Sequence, residues 1–324
     1  MTWSSRRSVE NAPERPIGSH SKHYHFGLML RCFLQKSSSR KLEALRFRMK
    51  RGWNRVCPWV PLPVRLPFGS WWLAWSDACG DEVFTGRFEE AERRFVENFL
   101  QPEMITLDIG AHHGFYTLLA SKKVGAQGLV VAFEPSLRER TRLVRHLRLN
   151  RCANVLVEGV ALGSKEGQAD FFVVGGRETG CNSLRPPKVV EPTTVIRVPV
   201  LTLDSYLHGK KICNPDFIKM DVEGAELEVL KGATELLQRQ PRPVILCEVQ
   251  DIRTQPWGYK AQEVLSFSHR FGYRWFKPLP NGFLEPISIQ QKTFDCNLIG
   301  VTDERMKQIQ GLISRRVSSC QLSE

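Results

Sequence analysis

The stretch MITLDIGAHHGFYTLLA, Met104 to Ala120, decides the fold. Residues 104–109 form a short apolar run, the length and composition of a buried strand. Gly110 and Gly114 follow as a tight turn, and residues 114–124 read as a helix. The pattern then repeats toward the C-terminus. LVVAFE (129–134) reads as a second strand, 137–149 as a second helix, and NVLVEGVAL (154–162) holds a third strand. Alternating strands and helices predict a mostly parallel, Rossmann-like sheet with helices on both faces. Residues 168–202 break the rhythm. FFVV, a Gly- and Pro-containing stretch and TTVIRVPV predict extra antiparallel strands around a loop. FIKM (217–220), a helix at 225–237 and VILCEV (244–249) restore the rhythm. A helix at 260–270 and two or three strands, the last near 294–301, predict an antiparallel edge. Upstream, FEEAERRFVENFL places Phe88, Ala91, Phe95 and Phe99 on one helical face.

Further upstream the character changes. Residues 1–69 hold 14 basic and 3 acidic side chains, whereas 70–324 hold 32 and 31. The formal net charge of +12 therefore belongs to the N-terminal segment, and the near-neutral body argues against a nucleic-acid partner. Residues 1–38 read as a mobile polar tail. Residues 40–50 read as a short basic amphipathic helix, suited to packing on the body. The prolines at 58, 61, 63 and 67 predict that no regular element forms there. Trp71, Trp72 and Trp75 are expected to fill a core or seal a domain edge. The domain reading is a basic N-terminal extension, partly disordered, at 1–69; a helical lead-in at 70–102; the α/β domain at 103–304; and a C-terminal tail at 305–324.

Apolar residues make up 42% of the 324-residue chain and charged residues 25%. That balance excludes fibrous, wholly disordered and small disulfide-stapled classes. Nine scattered cysteines without a CxxC pair argue for reduced structural thiols, a cytoplasmic location and no zinc ribbon. His20, His23 and His25 are weak metal candidates, and no metal is expected. No apolar run reaches the roughly 20 residues of a membrane span. The basic, Ser-rich first 50 residues suit a targeting leader, a weak surface anchor or a tail equally, and could contact an anionic partner.

The glycine turn carries the chemistry. Gly110 and Gly114 match neither the GxGxxG dinucleotide fingerprint nor a phosphate-binding P-loop. Asp108 stands just before the turn, where a carboxylate would repel a diphosphate. It would welcome S-adenosylmethionine, which carries an ammonium and a sulfonium. Glu134 ends the second strand, 20 residues after Gly114, where its two oxygens can accept from both hydroxyls of a ribose. The bland alternatives are a turn cap for Asp108 and a surface residue before Pro135 for Glu134.

FIKM delivers Asp221 to the sheet edge where open α/β sheets bind ligands. Asp221, Glu223 and Glu226 could line a transfer site, or they could cap the helix that follows. At a helix start the dipole would lower their pKa values, which favours orienting an acceptor over deprotonating it. Glu248 ends the next strand at the same edge, placed either to orient a hydroxyl or to pair structurally. His113 and His112 sit beside the glycines and could touch cofactor or acceptor. Arg138, Arg140, Arg142, Arg145 and Arg148 read as a solvated helix face.

Around these residues the chain resembles the FkbM-type family of S-adenosylmethionine-dependent methyltransferases. The matching motifs are LDIGAHHGFYTLLA (107–120), VVAFEP (130–135), LxLNxxxNV (147–155), ALGSKEG (161–167), LTLDSYL (201–207), FIKMDVEGAELEVLKGA (217–233) and ILCEVQ (245–250). GRFEEAE (86–92) resembles the lead-in to that domain. The resemblance covers roughly 80–300. It implies a class I methyltransferase-like α/β fold and O-methylation of a hydroxyl on a small molecule or sugar. It also implies cofactor contacts at Asp108, Gly110, Ala111, His112, Gly114, Glu134 and Ser183, and acceptor-side roles for Asp221, Glu223, Glu248 and His113. The family usually has Asn where this chain has His112. The competing readings are N-methylation of a protein or other polymer, a non-catalytic cofactor-binding interaction module, and a nicotinamide oxidoreductase. The last is disfavoured by the glycine spacing.

Overall fold

The computed structural model describes residues 44–313. The expectations for 1–38, for His20, His23 and His25, and for the last eleven residues lie outside that range. Residues 44–56 are helical (α1). A hairpin follows, β1 (Leu62–Arg65) and β2 (Trp71–Ala74), paired antiparallel with Pro63 opposite Leu73. The prolines do not prevent a strand, because β1 has a free edge on which Pro63 needs no N–H. The expected domain boundary at 69/70 falls in the turn of this hairpin. The far edge of β2 is covered by a helix. Asn150 Oδ1 accepts from Trp71 N at 2.6 Å, and His146 Nε2 accepts from Leu73 N at 2.9 Å. Trp72 is fully buried and stacks on His146 at 4.0 Å between ring centroids.

The helices α2 (Ala78–Thr85) and α3 (Glu90–Phe99) lead into the main sheet. α3 buries Phe95, Val96 and Phe99 on one face. The alternating elements are β3 (Ile105–Ile109), α4 (Phe115–Val124), β4 (Leu129–Phe133), α5 (Leu137–Leu149), β5 (Val155–Glu158), β6 (Ala161–Leu162), β7 (Gly167–Val174), β8 (Thr193–Leu201), α6 (Leu203–Lys210) and β9 (Phe217–Met220). Then come α7 (Glu226–Lys231), α8 (Thr234–Gln238), β10 (Val244–Gln250), α9 (Asp251–Thr254), α10 (Ala261–His269), β11 (Arg274–Pro278), β12 (Leu284–Pro286), β13 (Asp295–Val301) and α11 (Asp303–Ile309). The eight-stranded sheet has the order β12-β11-β13-β10-β9-β3-β4-β5. β10, β9, β3, β4 and β5 run parallel, while β13, β11 and β12 form the antiparallel edge.

Both sheet faces are covered, which is why the parallel strands read as continuous apolar runs. Side chains alternate across β4: Val130 and Ala132 pack into one core cluster, Val131 and Phe133 into the other. This is a mixed α/β fold with a central sheet and flanking helices. The extra strands do not join that sheet. β6, β8 and β7 form a separate three-stranded sheet around Phe171, Val198 and Val200.

Two local expectations change. The helix expected over 225–237 divides into α7 and α8 around Gly232. A Cβ there would lie 3.1 Å from the Gly163 carbonyl carbon and closer still to its oxygen, so the break lets a neighbouring loop approach. The arginine row of α5 is a solvated face only in part: Arg145 and Arg148 are exposed, while Arg138, Arg140 and Arg142 are half-buried. Arg140 Nη1 donates to the Glu134 carbonyl at 2.7 Å, Arg142 pairs with Asp77 at 2.9 Å, and Arg138 pairs with the buried Glu139. Arg140 and Arg142 thereby tie α5 to the segments that precede it and α2, and Arg138 also donates to the Val174 carbonyl of β7 at 2.7 Å. Among the described residues, seven cysteines are free, and no helix is long and apolar enough to cross a membrane.

Candidate active site

The C-terminal ends of β3, β4, β9 and β10 open onto one cavity of about 220 Å³. Open parallel sheets bind ligands at this edge, where loops diverge to either side. Gly110 turns the chain off β3 with φ 78, and its N–H and that of Ala111 both donate to the Phe133 carbonyl, at 3.1 and 3.0 Å. The turn packs on the next strand end, since a Cβ on Gly110 would lie 2.9 Å from the Asp221 carbonyl carbon and closer to its oxygen. Only glycine fits both the backbone angle and that approach.

Glu134 sits at the end of β4, 4% exposed. Oε2 accepts from His112 N and Oε1 from Ser136 N, both at 2.8 Å. Each oxygen is thereby fixed and keeps a free lone pair for a ligand hydroxyl. Burial pushes its pKa up to about 8, even against these two N–H donors. Asp108 is 3% exposed. Its Oδ2 accepts from Thr117 Oγ1 at 2.5 Å, and Oδ1 has no partner among the described residues. Burial raises its pKa.

Lys219 is the cation at the centre of this edge. It is 8% exposed and donates to the Gly110 carbonyl and to Asp221 Oδ2, both at 3.1 Å. Burial alone would lower its pKa, but Asp221, then Asp108 and Glu89, outweigh burial and hold it raised. Beyond Asp221, the carboxylates of Asp221, Glu223 and Glu248 bring oxygens within 4.8 Å of one another. Glu223 takes φ 56 and pairs with Arg253 at 2.8 Å. Glu248 Oε2 is buried without a partner among the described residues. Burial, then Asp221 and Glu223, raise its pKa well above the carboxylate range.

The expected helix-dipole lowering of Glu223 and Glu226 is reversed. Burial, then Asp221, lifts Glu223 to about 8, and burial lifts Glu226 to about 7. Desolvation exceeds a half-charge dipole screened by solvent. Glu226 is 1% exposed and accepts from Val222 N and Gly224 N at 3.0 and 3.2 Å. It closes the turn before α7 and stays outside the cavity lining.

These shifts carry a sign for stability. Glu134 and Glu226 titrate near 8 and 7 when folded and near 4.5 when unfolded. Between those limits the folded state holds protons that the unfolded state has released, so stability falls as pH rises. His112, His113 and His146, all lowered by burial, oppose this below about 6.5. Thermal unfolding of the ligand-free protein is therefore expected at a higher temperature at pH 6 than at pH 8. The margin is about 5 °C, from roughly 2 kcal/mol. Equal midpoints in a calorimetric pH series would contradict the assignment.

A family model for the methyltransferase FkbM domain matches residues 108–275, just over half of the chain. The chain belongs to the methyltransferase FkbM family. It is 26% identical over 153 residues, 47% of its length, to hexuronic acid methyltransferase AglP of Haloferax volcanii. It spans 59% of that relative's length. Among solved structures it is similar to methyltransferase FkbM from Methylobacillus flagellatus KT, with TM-score 0.40 and 17% identity over 68% of this chain and 54% of that one. It is also similar to an O-methyltransferase from Bacillus cereus in complex with S-adenosylhomocysteine, with TM-score 0.38, 15% identity, and 65% and 80% coverage.

In this FkbM-family chain, Asp108, Gly110, Ala111, His112, His113, Glu134, Asp221, Glu223 and Glu248 all line the one cavity. Gly114 and Ser183 do not. Gly114 packs under Leu143, and Ser183 Oγ donates to the Glu223 carbonyl at 2.9 Å in a neighbouring depression. The two histidines stack on each other, centroids 3.7 Å apart. His112 reaches Thr179 Oγ1 at 3.2 Å. His113, 1% exposed, meets Arg142 at 2.9 Å, and burial, then His112, drives its pKa well down, so it is neutral. Among the lining residues that the sequence reading does not single out are Glu89, Tyr116 and Lys219. Lys219 had a signal, a lone charge inside the apolar FIKM strand. Glu89 lies within the GRFEEAE match, but nothing in its spacing marks it as a site residue.

Proposed function

We propose that the chain transfers a methyl group from S-adenosylmethionine to a hydroxyl oxygen of a small molecule or sugar. The observation that carries this reading is Glu134: a buried carboxylate at the end of β4, each oxygen fixed by one backbone N–H and open to one more donor. A ribose diol presents two donors at that spacing. The rest of the cavity supports it. The Gly110 turn lets a ligand lie close to backbone, and the orphan Asp108 Oδ1 suits an ammonium. Pro135, Val160 and Leu162 supply apolar wall for an adenine. When bound, the cofactor supplies an electrophilic methyl group already activated by its sulfonium. The chain's own residues bind, orient and keep out water. Asp108, Gly110, Ala111, His112 and Glu134 form the cofactor side. Asp221, Glu223, Glu248 and His113 form the acceptor side. In this reading the transfer domain spans 103–304, behind the lead-in at 70–102.

A hexuronic acid, the acceptor class named for the Haloferax volcanii relative, is the first probe: glucuronic and galacturonic acid, with glucose as the neutral control. S-adenosylhomocysteine is expected to raise the unfolding temperature of the wild type, and NAD is not. Glu134→Ala removes both ribose acceptors. It is expected to weaken S-adenosylhomocysteine binding by about 30-fold, two hydrogen bonds at roughly 1 kcal/mol each. Calorimetric titration checks this, and unchanged affinity would remove Glu134 from the cofactor site.

A further inference from the structure

Resting on that reading, we infer that Glu89 is a catalytic residue, the base that receives the proton of the acceptor hydroxyl. Glu89 occupies the N-cap position of α3 but makes no capping bond, although that is the usual use of such a side chain. Its backbone is left-handed, φ 38 and ψ 55, a conformation that costs a non-glycine residue about 1 kcal/mol or more. The neighbouring Phe88 packs on Phe115, centroids 4.7 Å apart, which seats the turn on α4. The carboxylate thus enters the cavity wall beside Lys219 and Asp221 instead of the helix end. Tyr116 Oη donates to its Oε2 at 2.5 Å, which fixes the group. Oε1 has no such tie.

The other carboxylates of the cavity are committed, Asp108 to the Thr117 hydroxyl and, in this reading, to the ammonium of the cofactor. Asp221 is paired with Lys219 and Glu223 with Arg253. Glu134 is held by two backbone N–H groups. Glu248 lies against Asp221 and Glu223, so its neutral form is favoured and it donates instead of accepting. Glu89 is bound by a hydroxyl alone, among the described residues. The charged groups around it are Lys219 from β9, Asp221 beyond it, and Glu92 from α3. Burial outweighs Lys219 and brings Glu89 to about 7, where a base is both deprotonated and basic enough to work.

The hydroxyl proton passes to the Glu89 carboxylate, and an oxygen electron pair forms the new bond to the methyl carbon. The carbon–sulfur bond breaks with its pair left on sulfur, giving a neutral thioether. Glu89 then returns the proton to solvent.

The test is Glu89→Gln, whose amide oxygen still accepts from Tyr116. With labelled methyl donor and the sugar probes above, turnover is expected to fall 100-fold or more. Unfolding temperature and S-adenosylhomocysteine affinity are expected to stay at the wild-type values. A purely structural Glu89 predicts near-normal turnover in this variant, and that result overturns the proposal. Tyr116→Phe removes a bond that favours the charged form, so the acidic limb of the pH–rate profile is expected to move up. An independent readout needs no acceptor. The Glu89 carboxyl, followed by carbon-13 NMR, is expected to titrate near neutrality, and titration in the ordinary range near 4.5 overturns the assignment. If S-adenosylhomocysteine fails to bind the wild type, the methyltransferase reading itself fails. If it binds both proteins and Glu89→Gln turns over normally, Glu89 alone is excluded.

Discussion

Lys219→Ala is expected to destabilise the protein by about 3–5 kcal/mol, the cost of leaving buried charge unpaired. Lys219 is 8% exposed, and its ammonium bridges the Gly110 carbonyl and Asp221 at 3.1 Å each. Asp108 and Glu89 also face it. Its removal leaves three carboxylates without their shared cation, together with a carbonyl at the end of β3. Their escape is to take up protons, so the loss should be greatest at high pH and partly recovered near pH 5. Lys219→Met fills the same space with an apolar chain and should behave alike, which separates lost charge from lost packing. At roughly 2–4 °C per kcal/mol for a domain of this size, the unfolding midpoint should drop by about 10 °C at pH 8. Thermal scans at two pH values read both effects. A shift under about 2 °C would mean that the carboxylates do not depend on this cation.

Gly110→Ala is the second large effect, and it acts through shape instead of charge. Gly110 has φ 78, and an added methyl would meet the Asp221 carbonyl group deep inside van der Waals contact. That neighbour is backbone, anchored by Asp221 N donating to the Ile109 carbonyl at 3.1 Å, so it cannot rotate away as a side chain could. The ends of β3 and β9 must separate, which breaks the Lys219 bridge and displaces Asp221. We expect a loss of more than 3 kcal/mol and no measurable S-adenosylhomocysteine binding. Gly86→Ala is the control. It has a similar φ of 79 but nothing within 4 Å of the added carbon, so it carries only the backbone cost of about 1 kcal/mol. Chemical denaturation of the two variants separates the terms. Similar losses in both would show that the close approach at Gly110 is unimportant.

Much of the fold was legible because local patterning and burial agree. Apolar runs such as LVVAF and FIKM can be satisfied only by strands covered on both faces, and α5 follows the helical period from Leu137 to Leu149. Asp108, Gly110 and Glu134 were legible as neighbours around one cavity because each lies at a strand end, and strand ends in a parallel sheet converge. The divided helix at Gly232 was not legible, since its cause is a loop from elsewhere in the chain. The arginine row of α5 misled for the same reason. Its periodicity is that of a solvated face, yet its partners Asp77 and the Glu134 carbonyl come from other segments.

The sequence by itself determined the order of strands and helices, the parallel character of the sheet and the edge at which the cavity opens. These follow from periodicity and from glycines that permit only one kind of turn. The tertiary structure alone decided which charges meet. Lys219 stands among Asp108, Asp221 and Glu89, and Arg253 against Glu223. Glu248 is crowded into neutrality, and Glu226 is diverted to a turn. Protonation depends on desolvation and on neighbours within a few ångströms, and those neighbours are separated by up to about 130 residues along the chain. Such distances leave no trace in local spacing, so the chemistry of the site had to be read from its assembled form.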